Sequence, residues 1–148
     1  MSVTRTYDLF ITHAWRYHED WNRLTEMIDR YDPRCWRNFS LPWYDPALQP
    51  SSESGGKILR DNLETQIIPS HAVILLSSVF EQPASRKWLD YEIEMAHKHR
   101  KHIIAVPSWG QSVVPPNVQV FADYVGTWDV KSLLKLVDRC LEKSAAQM

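Results

Sequence analysis

Ala72-Val73-Ile74-Leu75-Leu76, entered from Pro69-Ser70-His71 and left through Ser77-Ser78, is the stretch on which the fold turns. A strand with one wet face alternates polar and apolar residues, whereas an unbroken apolar run of this length reads as a strand buried on both faces. Strands of that kind belong to parallel sheets, whose crossover connections lay helices on both sides. Ile103 to Val106 repeats the pattern further along. Between the two runs Trp88, Tyr91 and Met95 recur at helical spacing through about Lys98, so strand, helix and strand follow as a βαβ unit.

The flanking segments extend the alternation. Tyr7 to His13 reads as a strand ending in polar residues. From Glu19 to Tyr31, apolar Trp21, Leu24, Ile28 and Tyr31 line one face of a helix, which Asp32-Pro33 stops because a residue before proline leaves the α region. A short strand, Trp36 to Leu41, is followed by an aperiodic stretch, Pro42 to Gly56, with Ser51, Ser52, Ser54 and a Gly55-Gly56 pair. That stretch is expected to be a mobile loop that gates a cleft. Leu59, Leu63 and Ile67 then mark a helix from Lys57 to Ile67. Tyr124 to Trp128 is a last weak strand, and Leu133, Leu136, Val137 and Cys140 mark a closing helix from Val130 to Glu142. The order specifies one α/β domain over residues 1–148, a flavodoxin-like doubly wound parallel sheet with helices on both faces.

Composition narrows the class of function. With 44% hydrophobic and 24% charged residues among 148, the chain has the balance of an ordinary globular protein. Its longest apolar run, Ala72 to Leu76, falls far short of the roughly 20 residues that cross a bilayer. Met1 leads into Ser-Val-Thr-Arg rather than a signal sequence, so the expectation is a soluble cytoplasmic protein without membrane contact. Lys and Arg total 17 against 18 Asp and Glu, a net charge of −1, which leaves no global field for a nucleic-acid backbone. Cys35 and Cys140 lack any CxxC or His-Cys cluster, so both are expected as free thiols in a reducing compartment and no metal site is expected. Seven Trp are unusual; Trp15, Trp36 and Trp43 lie near turn residues, where core packing and an aromatic ligand pocket are both open readings.

Ligands of open α/β sheets bind outside the carboxyl ends of the strands. Those ends are Thr12 to Trp15, Ser40 to Asp45, Ser77 to Phe80 and Pro107 to Gly110. They carry no G-x-G-x-x-G, no G-x-x-x-x-G-K-[ST], no G-x-S-x-G elbow and no acidic pair for magnesium, which argues against dinucleotide-fold dehydrogenases, P-loop NTPases, α/β-hydrolases and receiver domains. The densest signal runs from Val73 to Glu92. Trp88 and Glu92 are four apart and share a helical face near the helix start, so a partly exposed carboxylate is expected at the cleft, with Asp90 and Glu94 pointing elsewhere. An ordinary solvated helix charge is the competing reading of Glu92.

Tyr7-Asp-Leu-Phe-Ile-Thr-His13 resembles the opening strand of TIR domains, and Ser77-x-x-Phe80 followed by Ser85-x-x-Trp88-x-x-x-Glu92 resembles their third strand and helix. Trp36-Arg-Asn-Phe-Ser-Leu-Pro42, the loop after it and Ile104 to Gly110 are further similar to the TIR-like subfamily of ThsB, the sensor of the bacterial Thoeris antiphage defence. His13-Ala14-Trp15 departs from the aromatic or basic residue, with acidic groups nearby, that many TIR domains carry there.

The resemblance implies an enzyme that takes NAD as substrate, with no cofactor, and uses Glu92 to break the nicotinamide–ribose bond. One carboxylate suffices chemically, since nicotinamide leaves as a neutral molecule and needs no acid; the remaining task is to stabilise a ribosyl cation electrostatically. The nicotinamide and adenine rings favour aromatic surfaces. Phe10, Thr12, His13, Ala14, Trp15, Trp36, Arg37, Asn38, Ser77 and Trp88 are accordingly the candidate substrate-binding residues, with Trp43 a further aromatic candidate. The resemblance further implies a phage-derived trigger, self-association on activation, and a cyclic or conjugated ADP-ribose signal carried as a diffusible nucleotide to a separate effector. Two rivals share the fold: a non-catalytic interaction module, and a nucleoside deoxyribosyltransferase.

Overall fold

The computed structural model describes residues 6–12, 19–40, 53–80 and 86–146. Five strands, β1 (Tyr7–Ile11), β2 (Trp36–Asn38), β3 (Ala72–Leu76), β4 (His102–Val106) and β5 (Tyr124–Val125), form one sheet in the order β2-β1-β3-β4-β5, and every pair is parallel. The helices are α1 (Glu19–Tyr31), α2 (Glu53–Ile67), the single turn α3 (Ser77–Phe80), α4 (Arg86–Lys98), the single turn α5 (Pro116–Gln119) and α6 (Val130–Ala146). This is the doubly wound, flavodoxin-like α/β architecture expected from the apolar central strands.

Burial explains the strand order. β3 and β4 are buried at every position, as their unbroken apolar runs require, and each fully buried Ile, Leu or Val there contributes roughly 1.5–3 kcal/mol. Side chains of β1 alternate between the helical layers. Tyr7 donates its hydroxyl to Asp138 of α6, and Trp36 of the neighbouring β2 donates its indole N–H to Asp29 of α1 at 2.8 Å, so α1 and α6 cover that face. Asp8, Phe10 and Thr12 project to the opposite face, where α2 and α4 lie together; the Tyr91 hydroxyl donates to the Arg60 carbonyl, and Glu64 accepts from Lys98 and His99. Hydrogen bonds from His99 and then Lys98 hold the Glu64 carboxyl below its ordinary range.

Several boundaries differ from the sequence expectation. β1 ends at Ile11 and β2 at Asn38, each shorter than read. α2 starts at Glu53, so Glu53 to Gly56, expected as loop, form its first turn. The N–H groups of a first turn have no intrahelical partner and an acidic residue there favours the helix dipole, so two glycines are tolerated. The remainder of the expected gating loop lies outside the described residues. Tyr31, placed on the buried face of α1, is 48% exposed at the helix end. β5 ends at Val125, short of the Trp128 limit read from the sequence, and a Cβ on the following Gly126 would approach the Ile104 and Leu133 side chains at 3.2 Å, a close packing that a residue without a side chain fits most easily. Cys35 and Cys140 are free and buried, and burial pushes the Cys140 thiol up to about 12. No described helix is long and apolar enough to cross a membrane, and the described residues contain no cluster able to hold a metal ion.

Candidate functional site

The chain leaves β1 toward β2 and leaves β3 toward β4 on the other side, so the strand order reverses between β1 and β3. At that point the sheet is closed by polar side chains of its own. Thr12, fully buried, donates its backbone N–H to the Ile74 carbonyl, and its hydroxyl accepts from the Leu76 N–H at 3.0 Å. Ser77 donates its hydroxyl to the Val106 carbonyl at 2.7 Å, which ties the turn after β3 to the end of β4. A buried carboxylate, Asp20 in the first turn of α1, gathers the rim: it accepts from the Ser78 hydroxyl at 2.7 Å, the Trp109 backbone N–H at 3.2 Å and the Arg23 guanidinium at 2.9 Å. Three segments that are far apart in sequence, the start of α1, the turn after β3 and the turn after β4, therefore meet at one carboxylate.

Glu92 sits mid-way along α4. Leu89, Glu92, Ile93 and Ala96 are all buried and form the stripe that α4 turns inward, whereas Asp90 and Glu94 are exposed as their spacing predicts. At 1% exposure Glu92 is not the partly exposed carboxylate expected at the helix start; it lies roughly 9 Å along the axis from the first residue of α4, at a rise of about 1.5 Å per residue. Its Oε2 has no hydrogen-bond partner among the described residues. Desolvation pushes its carboxyl well above the usual carboxylate range. A carboxyl of this kind costs stability as long as nothing binds it, which makes Glu92 the candidate reactive group of this site.

The other sequence candidates divide clearly. Phe10 is fully buried within β1. Trp36 is held against α1 through Asp29. Arg37 makes a two-point ion pair with the buried Asp8 at 2.6 and 2.7 Å, in the N-terminal half of β1 and away from the strand ends; the Asp8 backbone N–H in turn donates to His71 Nδ1. Asn38 uses its side-chain oxygen to hold the Ser40 N–H and hydroxyl in a turn whose serine also accepts from the Trp21 indole. The hydrogen-bonding groups given for Thr12, Trp36, Arg37, Asn38 and Ser77 are thus engaged within the chain. Trp88 belongs to the first turn of α4. His13, Ala14, Trp15 and Trp43 lie outside the described residues.

Asp20, Arg23 and Trp128 are not site candidates in the sequence, and Trp109 enters only as part of the strand end Pro107 to Gly110. Trp109 is 54% exposed, stands edge-on to Trp128 with ring centroids 5.0 Å apart, and has the Arg23 guanidinium 5.4 Å from its ring centre. The available signal was Asp20, a carboxylate four residues before Leu24 on the buried face of α1. Its partners become visible only once the strand ends converge.

Residues 10–112 match the family described as Thoeris protein ThsB, TIR-like domain. The chain belongs to the ThsB TIR-like family. No curated protein matches it. Among solved structures it is similar to the CMP N-glycosidase BcmB of Clostridium botulinum, with 12% identity, a TM-score of 0.46, and coverage of 88% of this chain and 98% of that one. The matched part of this TIR-like domain includes β3, α4 with Glu92, and the turn after β4 with Trp109, whereas Trp128 and α6 lie beyond it.

Proposed function

We propose that this TIR-like domain processes NAD, breaking the nicotinamide–ribose bond at Glu92 and releasing a cyclic or conjugated ADP-ribose as the signal of an antiphage defence. The observation that supports it most is the buried, unpartnered carboxyl of Glu92 on the inward stripe of α4, in a chain of the ThsB TIR-like family. Cleavage breaks the bond between ribose C1′ and the nicotinamide nitrogen, and the electron pair leaves with the neutral ring. The Glu92 carboxylate stabilises the ribosyl cation, which is then captured by water, by a nucleophilic atom of the same ADP-ribose, or by a second molecule, with loss of one proton from the attacking group. Because the bound pyridinium is itself cationic, its arrival favours the ionised form of a carboxyl whose ionisation burial otherwise disfavours. A low-dielectric site makes that attraction far stronger than it would be in water.

Purified protein from phage-infected and uninfected cells, incubated with NAD and separately with deoxynucleosides, tests the reading. NAD consumption that Glu92→Gln abolishes, by a factor of about 10³ or more, and that Glu94→Gln leaves nearly intact is the expected result. Folded Glu92→Gln protein with wild-type turnover overturns the role of Glu92. Turnover of deoxynucleosides alone selects the deoxyribosyltransferase reading, and inertness toward both in either preparation selects the interaction module. In an active preparation, the acid limb of kcat/KM should lie above the ordinary glutamate range, since it reports the free enzyme's carboxyl.

A further inference from the structure

We propose that Trp109 is a stacking platform for the adenine ring of a nucleotide, a role that rests on the NAD reading of Glu92. Trp109 follows β4 at the carboxyl edge of the sheet, and Gly110, at φ +87°, makes the turn that leaves its ring half in solvent. The ring is fixed from several directions. Its backbone N–H is tied to Asp20, the Arg23 guanidinium lies over it, and Trp128 meets it at 87°, itself pinned by an indole N–H donated to the Pro107 carbonyl at 2.8 Å. An aromatic surface already held in place loses little freedom when a second ring stacks on it. An exposed tryptophan built into three contacts is an unusual use of structure unless the open part of its surface is used.

The charges around it select the ligand. Arg23 is paired with both Asp20 and Glu19, so two carboxylates face one guanidinium among the described residues. That balance disfavours a phosphate and suits the uncharged heterocycle of a nucleotide. One residue earlier in the same turn, the Ser108 hydroxyl is buried without a hydrogen-bond partner among the described residues, a donor or acceptor left for a bound polar group such as a base or ribose atom. Stacking of this type is commonly worth a tenfold change in affinity or more.

The test compares wild type, Trp109→Ala and Trp109→Phe, with thermal melts to confirm that each is folded. ADP, which has the adenine half and no nicotinamide, should bind wild type and Trp109→Phe, and bind Trp109→Ala about tenfold more weakly. In an active preparation Trp109→Ala should raise KM for NAD about tenfold with kcat largely kept. It should leave turnover of nicotinamide mononucleotide, which has no adenine, unchanged. NAD turnover with an unaltered KM in Trp109→Ala overturns the platform and leaves the role of Glu92 standing. Conversely, ADP binding that depends on Trp109 in a protein inert toward NAD keeps the platform and removes the NAD reading. Wild-type protein that takes up no ADP at millimolar concentration overturns the platform.

Discussion

A carboxyl buried at 1% exposure with an unpartnered oxygen makes Glu92 costly to the fold, and that cost depends on pH. In the unfolded chain a glutamate loses its proton near pH 4.3, whereas burial pushes the native value well above this range. Between the two values the native state holds a proton that the unfolded state does not. Stability is therefore fully present below about pH 4 and falls as pH rises toward the native value, by about 1.4 kcal/mol for each pH unit across which only the native state is protonated. Glu92→Gln keeps the shape of the protonated form and removes the titration. Its melting temperature should exceed that of wild type at pH 7–8 and converge with it near pH 4; a difference that stays constant from pH 4 to pH 8 would refute the linkage. The spacing of Trp88 and Glu92, with the TIR resemblance, made the carboxylate legible in the sequence, but its burial was not read. The signal was present in Leu89, Ile93 and Ala96, an inward stripe that Glu92 interrupts. Trp109 lay within Pro107 to Gly110, a strand end read as ligand-facing, but its meeting with Asp20 stayed hidden for a different reason: it depends on how the ends of β1, β3 and β4 converge, which no local period encodes.

At the scale of elements, the long and strongly patterned segments were the legible ones. α1 and β3 have the limits that their residues announce, while α3 and α5, one turn each, are too short to show a period, and the glycines opening α2 have no side chains to show one. The end of α4 carries a conflict of its own. Arg100 N–H donates to the His97 carbonyl and Lys101 N–H to Ala96, the paired bonds of a left-handed helix stop, yet the residue that must adopt positive φ, 56°, is an arginine and not a glycine. An L side chain in that region costs about 1–2 kcal/mol. Arg100→Gly relieves this cost, and Arg100→Ala, which removes the same charge beside the helix dipole, does not. The glycine variant should be more stable than the alanine variant by about 1 kcal/mol in denaturant unfolding. Equal stability of the two would show that the backbone stores no strain there.

For the molecule as a whole, the burial of Glu92 changes what an assembly would have to do. An open cleft with one exposed carboxylate would need a neighbouring chain to exclude water, but here a single chain already excludes water from Glu92. Contact with a ribose instead requires Glu92 to be uncovered, and the described form of the domain covers it. A second copy can promote uncovering only by binding the uncovered form more tightly than the covered one, and moving the population from 1:99 to 99:1 takes a preference of about 10⁴-fold. We therefore expect turnover per molecule to climb as the protein is concentrated from nanomolar to high micromolar, in step with a rise in mass measured by light scattering. Added Glu92→Gln protein should raise the turnover of a fixed, dilute amount of wild type, since it lacks the carboxylate and keeps the surface that binds the uncovered form. Specific activity that stays flat over that range in a chain that remains monomeric, with no gain from added Glu92→Gln, would mean that the single domain uncovers Glu92 by itself.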